Sequence, residues 1–342
     1  MTSVQYLRGV AALLVVVYHA VYKHGQISGI SSSWSFGQSG VDLFFIISGF
    51  IMSYTTDRRA VGGVAFFKAR MARILPLYWS LSIAAFLVFL VSPRLINRSG
   101  GTTTILHSFT LFPVGDKLLI QNGWTLSFEF WFYIIFAAAL AMGTSHRIPK
   151  ASAILLVLFV IGYVFTPTRP ALEVATNPLL LEFFMGMIAF LYFKNIRQKV
   201  VVNVILLFTG LVSLVYVGTH GIVENQLVSY GVPFMLVVCG LVGMESLMNR
   251  LPTMFLTRIL RAIGDSSYSL YLIHPFVISV VAIVVVKARL AVLDPFTTLI
   301  LVVSSCVVGY ICYLFIECKL NALFRARRHG PASPDGTHAL PQ

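Results

Sequence analysis

The sequence predicts an all-α polytopic membrane protein of about ten transmembrane helices with both termini in the cytoplasm. Three observations predict it. Hydrophobic residues make up 58% of the 342 positions and charged residues only 11%, with a mean hydropathy of +0.86, more apolar surface than a water-soluble fold hides. The apolar runs are about 20 residues long, enough to cross a hydrocarbon core as helices. The lysines and arginines gather in alternate connections, the asymmetry that orients such helices.

Taken in order, the apolar runs place spans at 4–24, 37–56, 73–92, 123–143, 151–166, 177–194, 200–218, 226–246, 266–287 and 296–317. The first reads as a retained helix rather than a secretory signal. Gln5 and Arg8 break its start, and no small-residue cleavage site follows Tyr18-His19. Basic residues cluster after the second span (Arg58, Arg59, Lys68, Arg70, Arg73), after the eighth (Arg250, Arg258, Arg261) and in the tail (Lys319, Arg325, Arg327, Arg328). These segments are assigned to the cytoplasm, which makes the net charge of +13 a matter of topology and not of nucleic-acid binding. The connection at 93–122 is the longest external one, and loops of that length are often binding elements. Residues 1–328 read as one membrane domain and 329–342 as a disordered cytoplasmic tail. Cys239, Cys306, Cys312 and Cys318 lack paired spacing and read as packing residues, with no disulfide framework and no metal site.

Ionisable side chains at membrane depth are costly and mark candidate sites. Arg8 and His19 lie eleven positions apart on one helical stripe, about 16 Å along the axis. Helix rise puts His19 about 7 Å and Glu129 about 9 Å below the external face, with Asp42 and Glu182 in the same layer. A histidine beside a carboxylate suits general-base work, because the carboxylate sets the tautomer and stabilises the imidazolium. Glu129 is the expected partner of His19 and Asp42 the second choice. Asp42 also reads as a cap at a helix start, and Glu182 as the partner of a polar neighbour. Arg70 and Arg73, three apart, are spaced to clamp a phosphate, and with Lys68 and Arg8 they form a basic mouth for a polyphosphate. The bland alternative is an anchor on anionic lipid. His274 precedes Pro275, which must kink or open its helix, and either lines a cavity or caps a freed carbonyl.

In order along the chain, five motifs resemble the acyltransferase-3 family of integral membrane acyltransferases, and within it the exopolysaccharide O-acetyltransferases. They are Arg8…His19, Gly40-Val41-Asp42-Leu43-Phe44-Phe45, Arg70-x-x-Arg73 with Ile74-Leu75-Pro76-Leu77-Tyr78-Trp79, Trp124-Thr125-Leu126-Ser127-Phe128-Glu129, and Ser269-Leu270-Tyr271-Leu272-Ile273-His274-Pro275. The resemblance implies an enzyme of the bacterial plasma membrane that moves an acetyl group from acetyl-CoA to a hydroxyl of a polysaccharide or lipid-linked acceptor. It maps the family's essential arginine and histidine onto Arg8 and His19, its donor-binding pair onto Arg70 and Arg73, and its fourth-span glutamate onto Glu129. Trp124, Asp42 and His274 are carried along as supporting residues. Thr125 stands where many relatives have serine and Phe130 where they have a second glutamate, so no role needing two adjacent carboxylates carries over. Two other readings stay open at this point. One is a sugar or lipid exporter using the same charges as a proton relay; the other is a membrane scaffold for polysaccharide assembly.

Overall fold

The computed structural model describes residues 1–29, 34–58, 61–96, 101–195, 199–222, 225–250, 254–288 and 296–326. Arg59, Arg98, Arg197, Arg289, Arg327, Arg328 and the tail assigned to 329–342 lie outside the described residues. The described chain is helical, apart from connections and one isolated bridge between Thr103 and Lys117. The long helices are α1 (Thr2–Ser28), α2 (Gly40–Arg58), α3 (Gly63–Val91), α4 (Gly123–Ala141), α5 (Arg147–Phe165), α6 (Leu180–Asn195) and α7 (Val200–His220). After them come α8 (Val232–Gly243), α9 (Phe255–Asp265), α10 (Ser267–Lys287) and α11 (Phe296–Cys312).

Among the described residues, nine helices are long and apolar enough to cross a membrane. The chain is an all-α polytopic membrane protein. The eighth expected span differs. Its apolar helix runs over Leu227–Gly243 and opens with a π-helical turn at Leu227–Gly231 before passing into α8. Its last residue is a glycine because Asn203 fills the space that a side chain at 243 would take. The ninth expected span gains a preceding element, α9. Its sequence FLTRILRAIGD alternates apolar and basic residues at helical spacing, so it is amphipathic and packs along α1.

In the core, α2 and α6 cross at their glycines. Gly49 and Gly186 let the two backbones touch, and a Cβ at either would strike the Phe183 or Ile46 carbonyl. Phe45, Phe132 and Phe183 stack behind this crossing, the last two with ring centroids 4.3 Å apart. At one end Asp57 receives Arg147 at 2.7 Å and Lys194 at 2.9 Å, tying α2, α5 and α6 together. The described part of the long connection is a cap on the bundle. Tyr78 Oη donates to the Ser108 carbonyl at 2.6 Å, Trp79 Nε1 to that of Phe109 at 2.9 Å, and Ser127 Oγ to that of Leu111 at 2.8 Å. Leu119 and Ile120 are buried beneath it.

A helix start leaves backbone N–H groups without intrahelical partners. At the start of α1, Glu245 supplies the acceptors: Thr2 N donates to Oε1 at 2.6 Å, Ser3 N to Oε2 at 2.9 Å, and Ser3 Oγ also to Oε2. Partial burial works against ionisation of Glu245, yet the Ser3 and Thr2 donors outweigh it and hold the carboxyl below its ordinary range. A carboxylate depressed in this way stabilises the fold above its unfolded pKa, and the benefit is lost as pH falls through the folded value. Glu245→Gln therefore lowers the thermal midpoint in detergent at pH 7. The gap from the wild type closes as pH falls below about 4. A gap that does not change with pH contradicts the charged cap.

Candidate active site

A cavity of about 330 Å³ opens between α1, α2, α3, α4 and α10. Arg8 and Gln5 enter it from α1, Arg70 and Arg73 from α3, and Glu129 and Tyr133 from α4. The positions follow from helical spacing. Arg70 and Arg73 are one turn apart, as are Glu129 and Tyr133, and Tyr133 Oη donates to Glu129 Oε2 at 2.8 Å. Among the described residues, Arg8 hydrogen-bonds only to Gln5, its Nη1 reaching Oε1 at 3.5 Å. Arg70 lies over the Phe66 ring at 5.6 Å, and its buried Nε has no hydrogen-bond partner among the described residues. None of the three arginines makes an ion pair with a carboxylate among the described residues. Three guanidiniums thus face the cavity against one carboxylate. Besides Glu129, two carboxylates lie within electrostatic reach of Arg8: Asp265 at the end of α9, and Glu317. Glu317 is presented by a π-helical turn at Tyr313–Glu317 and receives Ser269 Oγ at 2.6 Å.

The far wall of the cavity includes Phe44, Thr125 and Tyr271. Thr125 Oγ1 and Tyr271 Oη share a hydrogen bond of 2.9 Å, and Phe44 packs edge-on against the Tyr271 ring. Tyr271 in turn packs against His274, whose ring centroid lies 5.0 Å from that of His19. His19 Nδ1 is 2.9 Å from the Val15 carbonyl. A carbonyl only accepts, so in the neutral ring Nδ1 carries the hydrogen and Nε2 keeps the lone pair.

The structure brings Arg8, Arg70, Arg73 and Glu129 together as one set, and His19 and His274 as another. It does not bring His19 to Glu129: the glutamate turns to Tyr133 and the arginines, while the histidine turns to His274. The pairing expected from helix rise thus fails. The estimated depths fail as well: the His19–His274 pair lies beside Asn122 at the start of α4, whereas Glu129, two turns further along α4, lies at the level of Arg8. Asp42 lies in the first turn of α2, as expected of a residue at a helix start, and its carboxylate reaches its own backbone N–H. It is fully buried, accepts Gln226 Nε2 at 2.9 Å, and meets Glu182 of α6. Trp124 is 46% exposed and packs edge-on against Phe128, and Thr125, Leu126 and Glu129 are the residues of that motif that line the cavity. Asn122 takes the carbonyl freed by Pro275, and His274 Nδ1 lies 3.1 Å from the Leu270 carbonyl one residue earlier. Sequence reading passed over Asn122, Tyr271 and Glu317. Only Tyr271 carried a signal, as part of the motif ending in His274-Pro275.

An arginine-lined cavity in a helical membrane bundle, with Tyr271 of its lining packed against a histidine pair, fits a membrane-embedded transferase. The chain belongs to the acyltransferase-3 family, whose acyltransferase domain matches residues 1–314, and it is an acyltransferase. It is 32% identical over 321 residues to the exopolysaccharide production protein ExoZ of Rhizobium meliloti (strain 1021), covering 92% of this chain and 96% of ExoZ. It is 23% identical over 363 residues to the O-acetyltransferase OatA of Staphylococcus aureus, covering 92% of this chain but only 56% of OatA. A shorter match, 38% over 76 residues, is to protein 2 in the picA locus of Rhizobium radiobacter, and it covers 21% of this chain. No solved structure matches the chain.

An excess of guanidinium in a low-dielectric cavity favours a multiply charged anion. CoA is expected to raise the thermal midpoint of the wild type. In Arg70→Gln or Arg73→Gln the affinity falls about tenfold to a hundredfold, the loss of one charge-assisted hydrogen bond of about 1.5–3 kcal/mol. Unchanged affinity in both variants removes the phosphates from this cavity.

Proposed function

We propose that this acyltransferase moves an acetyl group from cytoplasmic acetyl-CoA to a hydroxyl of an exopolysaccharide or its lipid-linked precursor in the bacterial plasma membrane. The observation that carries the proposal is the cavity itself: Arg8, Arg70 and Arg73 line it together with Thr125 and Tyr271, and the Tyr271 ring packs against His274 of the histidine pair. The CoA phosphates bind the guanidiniums. The pantetheine arm then runs along the cavity toward Tyr271, in keeping with the family to which the chain belongs. The basic residues of the alternate connections support a cytoplasmic mouth with both termini on that side. The names of ExoZ and OatA support a glycan acceptor and an acetyl donor respectively.

In the proposed step the acceptor hydroxyl oxygen attacks the thioester carbonyl while His19 Nε2 takes the hydroxyl proton. The C–O bond of the ester forms, the C–S bond breaks, and the CoA thiolate leaves and receives that proton from the imidazolium. Glu129 balances the arginine cluster and orients it with Tyr133, in place of the orienting role toward His19 that the sequence reading gave it.

Labelled acetyl-CoA, supplied to membranes that contain the acceptor, is expected to label the polysaccharide or lipid-linked fraction with the wild type. With His19→Ala at matched protein level, transfer falls about a hundredfold to ten-thousandfold, the usual worth of a general base. Equal labelling by both proteins removes His19 from the chemistry. Acetyl trapped on the protein before acceptor is added replaces direct transfer with an acetyl-enzyme.

A further inference from the structure

Pro275 has no N–H, so the carbonyl of Tyr271, four residues back, loses its helical donor. Asn122 Nδ2 donates to that carbonyl at 3.0 Å. Asn122 stands at the N-terminal cap of α4, where an asparagine side chain ordinarily accepts from its own helix, yet it makes no capping bond. It is buried, and its amide reaches across to α10 instead. Thr125 Oγ1 donates to the Asn122 backbone carbonyl at 3.0 Å and holds the Tyr271 hydroxyl, so the same turn is braced from the cavity side.

The Tyr271 carbonyl accepts only, which settles which end of the Asn122 amide faces α10. The same Nδ2 is 3.5 Å from Nε2 of His274. His274 is fully buried, and its Nδ1 lies 3.1 Å from the Leu270 carbonyl, so Nδ1 bears the hydrogen and Nε2 is left to accept. That Nε2 is 3.4 Å from His19 Nδ1, the nitrogen that the Val15 carbonyl already assigns as a donor. The donor and acceptor senses agree along the chain, with the one Nε2 lone pair of His274 shared by Asn122 and His19 and the one Nδ1–H of His19 shared by His274 and the Val15 carbonyl.

We propose that Asn122 and His274 are positioning residues for His19. The carbonyl freed by Pro275 orients Asn122, Asn122 orients His274, and His274 holds His19 in the tautomer whose Nε2 lone pair faces the reaction. This is the task usually given to a carboxylate, performed here by a neutral imidazole, and it rests on the reading of His19 as general base. Once His19 takes the acceptor's proton at Nε2, its Nδ1–H remains directed at His274 Nε2 and the Val15 carbonyl, so the imidazolium keeps its acceptors without moving.

The test compares kcat and the KM for acetyl-CoA in His19→Ala, Asn122→Ala, His274→Ala and His274→Gln. Each is purified as a monodisperse protein and supplied with the polysaccharide fraction that the wild type acetylates. Asn122→Ala and His274→Ala are expected to lower kcat at least about tenfold, with the donor KM within about twofold of the wild type. His274→Gln offers Oε1 to His19 Nδ1–H and is expected to recover most of the kcat lost in His274→Ala. Wild-type kcat in Asn122→Ala and His274→Ala, with His19→Ala inactive, overturns the positioning role and leaves the base in place. His274→Gln no better than His274→Ala also overturns it. Full activity in His19→Ala overturns the base itself, a separate result.

Discussion

One unbroken helix sets the geometry of this protein. Helix α1 runs from Thr2 to Ser28 and carries both Arg8 and His19. Their separation, about 16 Å at the rise of an α-helix, is therefore set by covalent structure and not by loop closure. The other parts of the site are arranged about it: α3 brings arginines to the Arg8 level, α10 brings His274 to the His19 level, and Tyr271, one turn before His274, belongs to the cavity wall between the two. Glu245 holds the start of α1 through three hydrogen bonds, and Gly9 and Gly264 let α9 lie against it without room for a Cβ. A helix used as a ruler has to be held at its end and along its side, and this one is.

Several polar groups inside the bundle are satisfied by one another at places where the helices depart from regular geometry, while the buried hydroxyls of Ser267 and Thr297 have no hydrogen-bond partner among the described residues. Pro275 frees a carbonyl, and Asn122 takes it. A π-helical turn at Leu227–Gly231 directly follows Gln226, which donates to the buried Asp42, and another at Tyr313–Glu317 presents Glu317 to Ser269. Wider turns of this kind occur often at functional sites because they re-aim a side chain that a regular helix would point elsewhere. The arginines depart from this rule: no carboxylate pairs with them among the described residues, and a cavity lies in front of them. That imbalance is what an anionic donor relieves.

The all-helical membrane fold was legible in the sequence because apolar runs of about 20 residues have few other uses. The membership of Arg8, Arg70 and Arg73 in one cluster was legible from spacing and from a family resemblance. The partner of His19 was not. Glu129 lies beside Arg8, two turns along α4 from the Asn122 level, because apolar runs bound a span too loosely to fix a residue's depth or azimuth, and the imidazole meets a histidine 255 positions away. Asn122 was invisible for a related reason: at a helix start an asparagine reads as a cap, and only the packed bundle shows its amide spent on α10. The π-helical turns were also beyond reach, since nothing in YLFIE or LVSYG separates them from ordinary apolar helix.

The most direct measurement is the density of CoA bound to the protein in a lipid nanodisc, by cryo-electron microscopy. The account predicts phosphate density against Arg8, Arg70 and Arg73, with the thiol end of the pantetheine arm at the Thr125–Tyr271 wall on the side of His19. Phosphates bound away from these arginines, or a thiol pointing away from Tyr271, contradict it.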